Sequence, residues 1–172
     1  MEDQAEFGIA NVFYMFNTGS TSTAYRFFDS VSGSGAFSYN DNKPHTLVLG
    51  PDGGYIDDKT VVAGPLTATG TTTLTMTLFA RRTDASSVAK WATATITYAK
   101  IWKDGNLVRD FVPCVKDDVG YLYDRVSNDL FGNKGSGSFT LGTRRGAALL
   151  DSEVVGVSAS MRFGMGLIIV VE

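Results

Sequence analysis

Apolar and aromatic residues come in short runs, and clusters of Gly, Ser, Asn or Asp separate them. The first run, Phe7 to Asn17, carries Val12, Phe13, Tyr14, Met15 and Phe16 without a polar face, and it predicts one strand covered on both sides. Ala24 to Asp29, Ala36 to Tyr39 and His45 to Leu49 read as further strands, with turns at Asn17 to Ser20, Ser32 to Gly35 and Pro51 to Gly54. Tyr55-Ile56 and Thr60 to Val62, joined by Asp57 to Lys59, predict a tight hairpin. From Thr71 to Leu78, threonines alternate with Leu74, Met76 and Leu78, the period of a half-buried strand. Arg81 to Lys90 reads as a polar loop. Thr93 to Lys103 alternates again and turns at Asp104-Gly105, a pair suited to the tight link between twisted antiparallel strands. Leu107 to Val112 and Phe139 to Leu141 complete the series.

No segment has apolar residues at i, i+3, i+4 and i+7, so at most Ala147 to Glu153 predicts a turn or two of helix. Many short strands between turn signals predict an all-β protein, here a two-sheet antiparallel jelly-roll sandwich. No tandem repeat suggests a propeller or a solenoid.

Composition sharpens this. The chain has 172 residues, enough for one domain with a substantial core. It holds 19 Gly and 18 Thr but four Glu, none of them between residues 7 and 152, which disfavours long amphipathic helices. A net charge of −3 and 19% charged residues offer no footprint for nucleic acid; Arg144-Arg145 is too small a basic patch and reads as a linker or a subunit contact. The acidic start lacks the pattern of a signal peptide. The apolar stretch from Phe163 to Val171 falls far short of the ~20 residues of a membrane helix, so no membrane insertion is expected. Cys114, the single cysteine, reads as a small buried hydrophobe.

The stretch from Ala99 to Gly142 carries a resemblance. Arg109-Asp110-Phe111-Val112-Pro113, then Gly120-Tyr121-Leu122-Tyr123-Asp124 with Phe131 and Asn133, resembles the C-terminal part of concanavalin A-like (LamG-like) lectin/glucanase domains. His45-Thr46-Leu47 with Tyr55 to Asp58 is similar to the middle hairpin of that fold. Such domains recur in bacteriophage tail and structural proteins and in gut bacterial surface proteins. The resemblance implies a jelly roll over residues 1–142, and an extension over 143–172 without a counterpart. Family members also carry a strand or two before the position matching Phe7. The tail's Val154 to Val157 and Leu167 to Val171 read as strands that either complete an open sheet edge or pair with a neighbouring subunit.

Glycosidases of this fold flank the scissile bond with paired carboxylates, in a Glu-x-Asp-x-x-Glu pattern that a chain without Glu from 7 to 152 cannot hold. The best substitute pair, Asp57 and Asp58, reads as solvated turn residues. His45, the only histidine, predicts a packing role rather than a triad, and one His with one Cys is too few ligands for zinc. No catalytic residue is assigned. The resemblance implies calcium as the one candidate ion, with Asp52, Asp57, Asp58, Asp84, Asp117 and Asp118 as oxygen donors. Arg109, Asp110 and Asp124 read as architectural. Sugar recognition needs aromatics beside planar hydrogen-bonding groups, and Tyr55, Arg81, Arg82, Asp84 and Trp91 are the candidates.

The expectation is a non-catalytic module of a virion or extracellular surface appendage that binds a surface glycan. A structural assembly domain, homo-oligomeric or held by other virion or surface proteins, is the alternative. A glycoside hydrolase comes third.

Overall fold

The computed structural model describes residues 4–18, 22–28, 31–35, 43, 45–67, 73, 75–78, 80–89, 94–134, 139–140, 148–151, 154–156, 161–163 and 169–171. Every regular element among them is a β-strand. The first seven are β1 (Gln4–Ile9), β2 (Phe13–Thr18), β3 (Ser22–Phe27), β4 (Val31–Gly35), β5 (Leu47–Gly50), β6 (Gly53–Ile56) and β7 (Lys59–Ala63). There follow β8 (Thr77–Leu78), β9 (Arg81–Arg82), β10 (Val88–Ala89), β11 (Ala94–Ile96), β12 (Ala99–Lys103), β13 (Asn106–Lys116), β14 (Val119–Asp124) and β15 (Asp129–Phe131). The last are β16 (Phe139–Thr140), β17 (Ala148–Asp151), β18 (Val154–Gly156), β19 (Met161–Phe163) and β20 (Ile169–Val171).

One sheet runs β10-β9-β1-β2-β3-β4, with β8 also on β1. A second runs β15-β14-β13-β12-β20-β5-β6-β7, with β18 on β13 and β17 on β18. A small third sheet joins β11, β19 and β16. Most pairings are antiparallel. The exceptions are β9 on β1 and β20, which lies parallel to both β12 and β5.

The core follows from strand alternation. In the first sheet Phe7 pairs with Met15, and Ile9 with Phe13 and then Phe27, all buried on one face. Phe7, Phe13, Met15 and Phe27 form one cluster with Leu47, Leu49, Ile56 and Val62 of the second sheet, so the two sheets share this core. The approach is close at Gly54, where a Cβ would lie 2.8 Å from Val62 Cγ1 and 3.4 Å from Met15 Cε. A second cluster gathers Ile96, Ala99, Phe111, Val115 and Leu122, and Leu78 packs against both.

Several expectations need correction. Phe7 to Asn17 is not one strand but a hairpin: the chain reverses at Ala10 to Val12, with Asn11 at φ 61°. Asn tolerates that left-handed conformation, which the density of aromatics concealed. Among the described residues between Thr71 and Leu78, only Thr77–Leu78 is a strand; Thr73, Thr75 and Met76 lie outside any strand. Arg81 to Lys90 is not an open loop, because β9 and β10 pair within it. Thr93 to Lys103 breaks at exposed Thr97 and Tyr98, which sends β11 and β12 into different sheets. Gly53 and Gly54 belong to β6 rather than to the turn before it. Ala148–Asp151 is strand, not helix. Ala36 to Tyr39 lies outside the described residues.

The Asp104-Gly105 turn takes the expected form, with both residues at positive φ (52° and 75°). Asp117 and Asp118 make the same kind of two-residue turn between β13 and β14. In the tail, β18 pairs with β13 and β20 lies between β12 and β5, so these strands lie within the chain's own second sheet. Cys114 is fully buried on β13, and burial raises its thiol pKa to about 11.

Candidate functional site

The register of the first sheet puts a different set of residues on the face opposite the core. Thr77 and Gly8 pair, Gly8 faces Tyr14, Tyr14 faces Arg26, and Arg26 faces Ser32. The neighbouring row runs through Phe16, Ala24 and Ser34. Tyr14 and Phe16 stand two residues apart on β2, which is the spacing that aligns side chains on one side of a strand. Their rings meet with centroids 5.2 Å apart and a 46° tilt.

Arg81 completes this face. Its guanidinium carbon lies 5.3 Å from the Tyr14 ring centroid and 5.2 Å from that of Phe16. The strand order is β9-β1-β2, so the side chain crosses β1 to reach the rings. Gly8 makes room on β1: at φ 144° it adopts a backbone that side-chain-bearing residues avoid, and a Cβ there would collide with Tyr14. The positive charge thus sits over the negative faces of two rings. Among the described residues nothing hydrogen-bonds to the Arg81 guanidinium, and its buried Nε has no partner.

Arg82, one residue on, is engaged in part, since its buried Nε has no partner either. Its Nη1 donates to the carbonyl oxygens of Ala85 (3.2 Å) and Asp84 (3.5 Å). Asp84 Oδ1 accepts from the backbone N–H groups of Ser86 and Ser87 (both 2.8 Å) and from the Ser86 hydroxyl (3.0 Å). The Ser86 N–H is the main reason that the Asp84 carboxyl titrates below the usual carboxylate range. Asp84 is therefore the clasp of the β9–β10 turn. Tyr55 stands on β6 of the other sheet, and its hydroxyl donates to the Asp52 carbonyl oxygen at 2.7 Å. Of the five recognition candidates, Arg81, Arg82 and Asp84 come together on one hairpin. Tyr55 does not join them, and Trp91 lies outside the described residues.

The second polar centre lies where β13 and β14 pair. Asp124 is fully buried. Its Oδ1 accepts from the N–H groups of Asp110 (2.8 Å) and Val126 (3.1 Å), and its Oδ2 from the Ser127 hydroxyl (2.9 Å). Arg109 Nε approaches Oδ2 at 3.6 Å. Burial pushes the carboxyl pKa up, but these donors reverse the effect and hold it below the ordinary value. Asp110 in turn receives Arg125 Nη2 at 2.9 Å, and the Arg109 guanidinium lies 6.0 Å from the Phe131 ring centroid.

His45 and Asp57 form a third contact. Asp57 Oδ2 meets His45 Nδ1 at 2.8 Å, while Oδ1 accepts the Thr46 N–H at 2.8 Å. The His45 contact is the largest cause of a lowered Asp57 pKa. Asp57 thus ties its turn back to the entry of β5 rather than simply facing solvent. For calcium, Asp52, Asp57 and Asp58, Asp84, and Asp117 and Asp118 stand on four separate turns, and among the described residues no cluster of three metal-ligating side chains occurs.

The residues missed at the sequence level are Tyr14, Phe16, Arg26 and Gly8. The available signal was Asn11, whose turn makes the even-numbered residues of β2 a separate face. No protein-family model matches this chain, and no curated protein or solved structure matches it.

Proposed function

We propose that this chain is a non-catalytic jelly-roll sandwich of the concanavalin A-like kind, a module of a phage virion or surface appendage that recognises glycans. The observation that carries the reading is the Arg81 guanidinium laid over Tyr14 and Phe16 with its hydrogen-bonding edge uncommitted. A sugar presents a rim of hydroxyls, which the N–H groups of a guanidinium can meet; Phe16, 6% exposed beneath the cation, serves to position it. The core shared between two mostly antiparallel sheets supports the sandwich. The absence of Glu from 7 to 152 supports the non-catalytic reading, as does the engagement of Asp84 and Asp124 by backbone N–H groups.

A second reading has its own observation. Val119, Val126 and Phe131 are 50%, 44% and 37% exposed around β14 and the sheet-edge strand β15, as an assembly contact requires. A glycan array with the purified protein, run beside light scattering, separates the two. Glycan binding lost in Arg81→Ala supports recognition. A defined oligomer that binds no glycan, and that dissociates in Phe131→Lys, overturns recognition in favour of assembly.

A further inference from the structure

We infer that the β15 edge of the second sheet joins the same edge of a second copy of this chain, in an antiparallel pair whose two-fold axis passes beside Leu130. This names the occupant for the assembly reading, on which it rests, and it neither needs nor excludes glycan recognition on the first sheet. The two sheets meet at one side of the molecule, where a Cβ on Gly35 of β4 would lie 2.8 Å from Val61 Cγ1 of β7. At the other end of the second sheet, β15 pairs with β14 alone. An edge of this kind presents unpaired backbone donors and acceptors.

The hydrogen bonds of the adjoining turn decide which groups those are. The Asn128 N–H donates to the Asp124 carbonyl oxygen at 2.8 Å, and the Arg125 N–H to that of Asp110 at 2.9 Å. Asp124 therefore points its backbone groups at β15, whereas Tyr123 and Arg125 point theirs at β13. Leu130 is paired with Tyr123, so its N–H and C=O point away from β14. A two-fold axis there lets each Leu130 donate to and accept from the other. It also sets Asp129 of each copy directly opposite Phe131 of the other, at the close spacing of a non-hydrogen-bonded pair.

Those positions complement one another. Phe131 is 37% exposed, yet its ring is fixed by Phe111, 5.2 Å between centroids, and by the Arg109 guanidinium 6.0 Å away. The Arg109 side chain is 43% exposed and keeps N–H groups beyond those that approach Asp124 and the Val108 carbonyl oxygen. Asp129 is exposed, and among the described residues its carboxylate has no hydrogen bond or ion pair within the chain. In the pair, that carboxylate comes beside Phe131 and Arg109 of the other copy, twice by symmetry, and the half-buried Leu130 side chains meet on the opposite face of the sheet. The same edge is used by both copies, so assembly closes at two. Three residues of strand limit the area, so the dimer is reversible and concentration-dependent.

Sedimentation of the full chain over a concentration series tests this. Wild type is expected to pass from monomer to dimer. Leu130→Pro deletes an outward N–H that the β14 pairing does not use, and is expected to leave only folded monomer by circular dichroism and sedimentation. Asp129→Lys, at an exposed side chain without a partner, sets like charges beside Arg109 and is expected to weaken dimerisation about ten-fold or more; it decides the matter even where the proline variant fails to fold. A wild-type monomer at every concentration leaves the edge to another protein's strand and overturns the pairing of copies. Oligomers that grow past two, or a dimer of unaltered strength in Asp129→Lys, overturn it equally. A monomer that binds glycans leaves recognition standing, so the two readings fail separately.

Discussion

Two charged centres in this molecule use similar side chains in opposite ways. At the β13–β14 junction, Asp124 is buried and receives two backbone N–H groups, a hydroxyl and an arginine. On the outer face of the first sheet, Arg81 is in contact with two aromatic rings, and no hydrogen bond to its guanidinium is found among the described residues. A charge whose bonding capacity is filled by the chain's own backbone holds that backbone in place and has nothing left for a ligand. A charge fixed by ring faces is positioned yet still able to bond. The difference marks the first centre as architectural and favours the second for the proposed recognition, and each variant below is a way to break that division.

The largest effect is expected at Asp124. Asp124→Ala strands the N–H groups of Asp110 and Val126 in a buried position and removes the partner of Arg109, at a cost of about 3 kcal/mol in urea unfolding. Asp124→Asn should fall between wild type and Ala. Next comes Gly54→Val, which drives methyl groups into Val62 and Met15. It should cost about 2 kcal/mol by overpacking, with no change in glycan binding.

The third prediction uses pH. Asp124 and Asp57 both titrate below the ordinary carboxylate value. A lowered folded-state pKa contributes stability that is present above the unfolded value near ~4 and is lost as pH falls through the folded one. Urea midpoints should therefore hold between pH 7 and pH 5 and fall below about pH 4. Asp124→Asn should flatten that fall, and an unchanged slope would contradict the assignment. Smaller still is Asp57→Asn, whose exposed partner contact contributes about 0.5 kcal/mol.

The division also shows what was legible in the sequence. The all-β class and the hairpin turn at Asp104-Gly105 follow from local signals, because turn chemistry and strand alternation act within a few residues, whereas the pairing of Phe111 to Lys116 with Val119 to Asp124 was not among the expectations. The Tyr14 and Phe16 face was not legible. It depends on a one-residue conformational choice at Asn11, and on a distant strand, β9, docking beside β1. Arg81 and Arg82 look alike in the sequence; adjacent strand residues point to opposite faces, and the parallel pairing of Arg82 with Ile9 decides which of the two takes the outer one. The role of Asp57 was hidden for a related reason, since its partners His45 and Thr46 come from an earlier strand entry.

The central claim is that Arg81 is free to bind while Asp124 is not. The most direct test measures glycan affinity and thermal midpoint together in Arg81→Ala. The account predicts a ten-fold or greater loss of affinity, with a stability change limited to the about 0.5–1 kcal/mol of a cation over aromatic rings. Full retention of binding, or a collapse in stability comparable to that of Asp124→Ala, would contradict it.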